Sequence, residues 1–140
     1  QALETGNALE VERMFTDYLK QTISIRDTFV RKPTKENFFH GILLGILGFK
    51  DGWFVKSNRE AENGYSDILV KIEDEEIGLV IEIKYAQDKE LGPVCEKALR
   101  QIDDKGYAAE LREEGFHTIY KYGIACFRKR CRVAVEKEEL

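Results

Sequence analysis

Three ionic residues stand inside otherwise apolar runs. Asp67 lies in Gly64-Tyr65-Ser66-Asp67-Ile68-Leu69-Val70, and Glu82 and Lys84 lie in Gly78-Leu79-Val80-Ile81-Glu82-Ile83-Lys84. Both runs are rich in β-branched residues and flank the acidic stretch Glu73-Asp74-Glu75-Glu76, so they read as the two strands of a hairpin. Side chains alternate along a strand with a period of two, which puts Glu82 and Lys84 on one face. With Asp67 near the start of the partner strand, the hairpin brings two carboxylates and an ammonium into one small volume. Buried ions are costly unless they are paired or bound to metal. The oxygens of Asp67 and Glu82, together with the backbone carbonyl of Ile83, suit Mg²⁺ or Mn²⁺, with water filling the remaining positions. Such an ion polarises a phosphoryl oxygen and lowers the pKa of a bound water, and Lys84 would hold that water or neutralise charge developing on the phosphate. These parts suit hydrolysis of a phosphodiester.

An acid and a lysine two residues apart are, by themselves, a common pair on a solvated strand face. Leu79-Val80-Ile81-Glu82-Ile83 shows no polar alternation before Glu82, which points instead to a central strand covered on both sides. Nucleophilic catalysis by Ser or Cys has no support, since no G-x-S-x-G or His-Cys arrangement is present, and a phosphate-binding P-loop is absent.

The elements that must position these residues follow from periodicity. From Leu9 to about Ile25, Val11, Met14, Phe15, Tyr18, Leu19, Thr22 and Ile23 form one face of an amphipathic helix, preceded by a frayed stretch, 1–7. After the break at Pro33, Thr34 can cap a second helix, with Glu36 in its first turn where a negative charge suits the helix dipole. That helix carries Phe38, Phe39, Ile42, Leu43, Leu44, Ile46 and Leu47 and ends at Gly48; His40 has no second histidine nearby and reads as a boundary residue. Trp53 to Ser57 reads as a first strand and Asn58 to Gly64 as a polar connection in which Glu60 is an exposed loop residue. Past the hairpin, Leu91, Val94, Cys95, Ala98, Leu99 and Ile102 recur at helical spacing, with Pro93 tolerated in the first turn. Gly106 breaks the helix, Tyr107 to Glu113 resumes it, and strands follow at Ile119 to Phe127 and Cys131 to Val135. The order α-α-β-β-β-α-β-β predicts an α/β fold with a mixed sheet flanked by helices.

A chain of 140 residues that is 43% hydrophobic is long enough for one domain with its own core. The formal net charge of −4 excludes a globally basic nucleic-acid binder, so any such surface must be local. Cys95, Cys126 and Cys131 form no CxxC pair and no even disulfide set, which reads as reduced thiols in a cytoplasmic protein. The longest apolar run, Phe38 to Phe49, is too short for a bilayer span, and no signal peptide is visible. A start at Gln1 in place of an initiator Met is what a fragment of a longer protein, or a processed tag, would have. Residues 1–30 therefore read as a helix that could lead in from a missing upstream region, and residues 31–140 as the main domain.

Asp67 followed by Glu82-Ile83-Lys84 resembles the signature of the PD-(D/E)XK nuclease superfamily. The wider set resembles the restriction-endonuclease-like domain at the C-terminus of a group of bacterial AAA-ATPase-like proteins. The matching stretches are Glu36-Asn37-Phe38-Phe39-His40-Gly41, Ser57-Asn58-Arg59-Glu60, Gly64-x-x-Asp67, Ile81-Glu82-Ile83-Lys84, Ala98-Leu99-x-Gln101-Ile102 with Tyr107, Tyr122-Gly123-Ile124-Ala125 and Lys129-x-Cys131-x-Val133. The resemblance implies an α-β-β-β-α-β core with an extra N-terminal helix, Mg²⁺ or Mn²⁺ on Asp67 and Glu82, and Lys84 positioning the attacking water. It also implies Glu36 as an additional acid and Gln101 as a residue beside the site. Two positions depart from the group: Tyr65 stands where Arg is common after the glycine, and Ser66 where Pro is usual before the Asp.

Nucleic acid is the implied partner, DNA before RNA, with an ATPase-like region in the same full-length chain, no membrane association and a homodimer as an option. Arg128, Lys129 and Arg130, with Arg132 and Lys121 near them in sequence, could bind phosphate, and Tyr65 could stack on a base. A solvated hairpin tip and a packed tyrosine are the plainer readings of the same residues. The competing function is a non-catalytic domain that keeps the fold as a binding or assembly module.

Overall fold

In the computed structural model of the chain, the strands and apolar stripes assemble into a five-stranded sheet. The structure describes residues 5–22, 52–60, 65–86, 90–127 and 130–139. The helix expected from Thr34 to Gly48, with Glu36 and His40, lies outside the described residues, as do Arg128 and Lys129. The described elements are α1 (Ala8–Thr22), β1 (Trp53–Glu60), β2 (Tyr65–Ile72), a single 3₁₀ turn (Glu73–Glu75), β3 (Ile77–Tyr85), α2 (Leu91–Lys105), α3 (Tyr107–Glu113), β4 (Thr118–Phe127) and β5 (Arg130–Glu139).

The strands lie side by side in chain order, β1-β2-β3-β4-β5. All neighbours are antiparallel except β3 and β4, which run parallel and are joined by the α2–α3 crossover. The result is the mixed α/β architecture expected of a restriction-endonuclease-like domain, and the extra N-terminal helix is present as α1.

Two apolar layers hold the sheet. On one side Ile68, Val70, Leu79, Ile81, Ile83, Tyr122 and Ile124 form a buried cluster that Val11 of α1 joins. On the other side Leu69, Val80 and Ile119 pack beneath Leu99 and Ile102 of α2 and Ala108 and Leu111 of α3. Each large aliphatic side chain taken out of water here contributes about 1.5–3 kcal/mol. β3 is buried without interruption from Gly78 to Ile83, and β4 from Ile119 to Cys126. The unbroken apolar run before Glu82 is therefore a strand covered on both faces, as its lack of alternation predicts.

α1 starts one residue after Asn7, whose side-chain oxygen accepts the Glu10 N–H at 3.1 Å, an N-cap that the expectation of a frayed 1–7 misses. The helix docks at the sheet edge, where the Glu12 carboxylate accepts the Val133 N–H at 3.0 Å and Thr16 meets the Cys131 thiol at 3.1 Å. An edge strand carries unpaired donors, and α1 covers one of them. No helix among the described residues is long and apolar enough to cross a membrane.

Two strands run further than their sequences predict. β1 continues through Asn58-Arg59-Glu60, which pair with Asp67, Ser66 and Tyr65, so Glu60 ends a strand rather than sitting in a loop. β5 continues from Val135 to Glu139, opposite Tyr122 down to Thr118. Both extensions are polar and on edge strands, where pairing to the neighbouring strand outweighs the segment's own composition.

Candidate active site

The register of the central hairpin decides the geometry. Asp67 of β2 and Glu82 of β3 are direct partners across the ladder, so their side chains project side by side from the face that α2 covers. Both are buried, with Asp67 at 3% and Glu82 at 0% exposure. Two carboxylates this close, out of water, repel one another unless a cation or a proton intervenes.

The cation comes from α2. Its apolar stripe of Leu91, Cys95, Ala98, Leu99 and Ile102 packs down on the sheet, and Lys105, three residues after Ile102, continues that stripe as the last residue of the helix. Lys105 Nζ donates to Asp67 Oδ2 at 2.8 Å and to Glu82 Oε1 at 3.2 Å. The Tyr107 hydroxyl donates to the same Asp67 oxygen at 3.3 Å. Burial alone would lower the Lys105 pKa, but hydrogen bonding to Asp67 and the charges of Glu82 and Asp67 outweigh it and hold the ammonium well above its ordinary value.

Two glycines make this approach possible. Gly123 of β4 pairs with Glu82, and a Cβ there would lie 2.5 Å from the Cys95 carbonyl oxygen, so the α2 backbone rests directly on the sheet beside the acid. Gly106 adopts φ +70 between α2 and α3, a left-handed conformation that costs glycine little and turns the chain so that Lys105 and Tyr107 both reach the carboxylates.

The sequence-predicted residues fall into three groups. Asp67 and Glu82 are brought together, and Lys84 follows Glu82 by two residues on the same face of β3, half-buried. Ile83 buries its side chain in the opposite apolar layer, which leaves its backbone carbonyl as the group that could serve an ion. Gln101 lies half-buried one helical turn before Lys105, while the described donors to Asp67 are Lys105 and Tyr107. Tyr65 opens β2 opposite Glu60, one residue beyond the Ser66–Ile83 pair. Arg130 is exposed at the start of β5, two strands away from Glu82. Glu36, Arg128 and Lys129 lie outside the described residues.

Lys121 does not belong to a basic surface. It is buried on β4, where its ammonium meets Asp103 of α2 at 2.6 Å and Glu138 of β5 at 3.4 Å. Lys105, in turn, is the member of the site that the sequence reading overlooks. The signal for it is a basic residue at a core position of the α2 stripe, one turn after Gln101.

The donor set fits a hard divalent cation. Mg²⁺ is commonly held by one or two carboxylates, with waters and substrate phosphates completing its shell, and the Asp67–Glu82 pair supplies those two. No group of three or more His, Cys, Asp or Glu side chains suited to a metal occurs among the described residues.

Searches of curated proteins and of solved structures each gave no match. A family model described as the PD-(D/E)XK nuclease superfamily matches residues 34–136, a span that runs from before β1 to within β5. The chain belongs to the PD-(D/E)XK nuclease superfamily.

Proposed function

We propose that the chain is a divalent-metal-dependent nuclease domain that hydrolyses phosphodiester bonds internally in nucleic acid, with DNA as the substrate. The observation that carries this reading is the Asp67–Glu82 pair, two buried carboxylates set opposite each other on adjacent strands. Leaving such a pair in a core is expensive, and replacing it with apolar residues would cost the fold little. A task for the charges accounts for their presence.

Asp67 and Glu82 would hold Mg²⁺ or Mn²⁺, with the Ile83 carbonyl as a further ligand. When bound, the ion supplies positive charge to the scissile phosphate. Lys84, on the same face as Glu82, orients the attacking water. Glu36 would serve as an additional acid and Gln101 as a polar positioning group. Tyr65, Arg128, Lys129 and Arg130 contact the substrate strand. Residues 31–140 make up the nuclease-like domain, and the helix within 1–30 leads in from an ATPase-like region of a longer chain.

One observation favours a second reading, a non-catalytic module of the same fold: Lys105 already compensates part of the charge of the pair. The two readings separate in one experiment. The protein is incubated with Mg²⁺ or Mn²⁺ and offered plasmid DNA, single-stranded DNA and RNA in parallel, beside Asp67→Asn and Lys84→Ala. The nuclease reading expects metal-dependent cleavage that both variants lose, with ion binding kept by Lys84→Ala and lost by Asp67→Asn. Cleavage that survives unchanged in both variants, or no cleavage of any substrate, would leave the module.

A further inference from the structure

The carboxylate pair carries a cation of the protein's own, and its position is specific. An ammonium that lies 2.8 Å from Asp67 Oδ2 and 3.2 Å from Glu82 Oε1 sits between the two acids, where any ion bridging those oxygens would have to sit. It is delivered there by the end of a helix seated on Gly123, and the helix ends at the left-handed Gly106 immediately afterwards.

The partners differ in how they are anchored. Asp67 and Glu82 are short side chains on neighbouring strands of the ladder, β2 and β3, and cannot separate without breaking it. Lys105 reaches the pair through four flexible methylenes, and its hold is made of hydrogen bonds and charge. When a second cation arrives, the ammonium is the group that can yield. A lysine and a divalent ion cannot share Asp67 Oδ2 and Glu82 Oε1, because like charges at contact distance in a buried site repel strongly.

Building on the reading of Asp67 and Glu82 as the ion site, we propose that Lys105 is a resident counter-cation that competes with the divalent ion for the carboxylate pair. In the ion-free protein it keeps two buried acids compensated and the crossover helix docked over them. Ion binding displaces it, so the intrinsic affinity of the pair is masked by the lysine, and the domain loads only where the divalent ion outcompetes an internal ammonium.

The test is calorimetric titration of Mn²⁺ and Mg²⁺ into the parent protein, Lys105→Met and Lys105→Arg. Removing the competitor should tighten ion binding by about tenfold or more in Lys105→Met, whereas Lys105→Arg, which keeps the charge, should stay near the parent. Parent binding with equal or weaker affinity in Lys105→Met overturns this proposal and leaves the ion site standing. Failure of both proteins to bind any divalent ion removes the site itself and this inference with it. Should Lys105→Met be unfolded without ion, circular dichroism during a Mn²⁺ titration gives the answer. Recovery of the folded signal supports displacement, and no recovery at saturating Mn²⁺ overturns it.

Discussion

Two lysines on the helical face of the sheet each meet two carboxylates. Lys105 reaches down from the end of α2 to Asp67 and Glu82, whose side chains are 4% and 0% exposed. Lys121 reaches up from β4 to Asp103 of α2 and Glu138 of β5, whose side chains are 52% and 35% exposed. In the second cluster only the lysine is buried. Its acids keep much of their hydration, and Glu138 also takes a hydrogen bond from Arg112 of α3 at 2.6 Å. Water can stand in for any partner that is lost, so the cluster behaves as an ion pair at a surface that ties β4, β5 and the helices together. In the first cluster both acids are dry, and nothing except another cation or a proton can replace the ammonium. The comparison separates charge used to fasten elements from charge held ready for chemistry.

Neutralising one acid in each cluster should give the widest contrast. Glu82→Gln is expected to lower metal-dependent cleavage roughly 10²–10³-fold, the range for losing one electrostatic contact in a site, while Glu138→Gln leaves the initial rate close to that of the parent. Comparable rate losses in the two variants would mean that activity depends on folding rather than on the Asp67–Glu82 pair.

Removing the two cations should separate the clusters by stability. Lys105→Met leaves two buried charges without their ammonium and should cost about 3–5 kcal/mol in urea unfolding, against about 1 kcal/mol or less for Lys121→Met. The Lys121→Met loss should also shrink in high salt, since its acids are exposed to screening. Equal, equally salt-sensitive losses would mean that the two clusters do not differ in kind.

The smallest expected effect tests the seat of α2. Gly123→Ala places a methyl against the Cys95 carbonyl, which must shift, and should cost about 1–3 kcal/mol by thermal denaturation. No measurable loss would mean that α2 does not depend on this close contact to deliver Lys105.

Much of this arrangement is legible in the residues themselves. The β-branched apolar run after Asp67 and the unbroken apolar run before Glu82 identify β2 and β3, and the acidic turn between them sets the hairpin. The stripe from Leu91 to Ile102 and the break at Gly106 define α2 and α3 closely. The less legible parts depend on partners far away in sequence. Asn58 to Glu60 and Glu136 to Glu139 are polar enough to read as loop and tail, and become strands because a neighbouring strand, β2 or β4, extends the ladder past them. Lys84 and Lys121 look like candidate site or surface cations, whereas Lys105, which meets both acids, lies on a different element from the hairpin. A charge in the last turn of a helix is ordinary, and only the crossover that lays α2 over β3, β4 and β5 gives it two carboxylates.

The contact between α1 and β5 also bears on how the fold is completed in time. The Glu12 carboxylate and the Val133 N–H are separated by 121 residues, so this hydrogen bond closes a very long loop and offers no local reward before the rest is in place. The outer edge of β5 is therefore the part of the sheet whose protection waits on the first helix. Amide exchange at Val133 reports directly on whether that helix is seated, and opening there uncovers a strand edge without disturbing the carboxylate pair two and three strands inward.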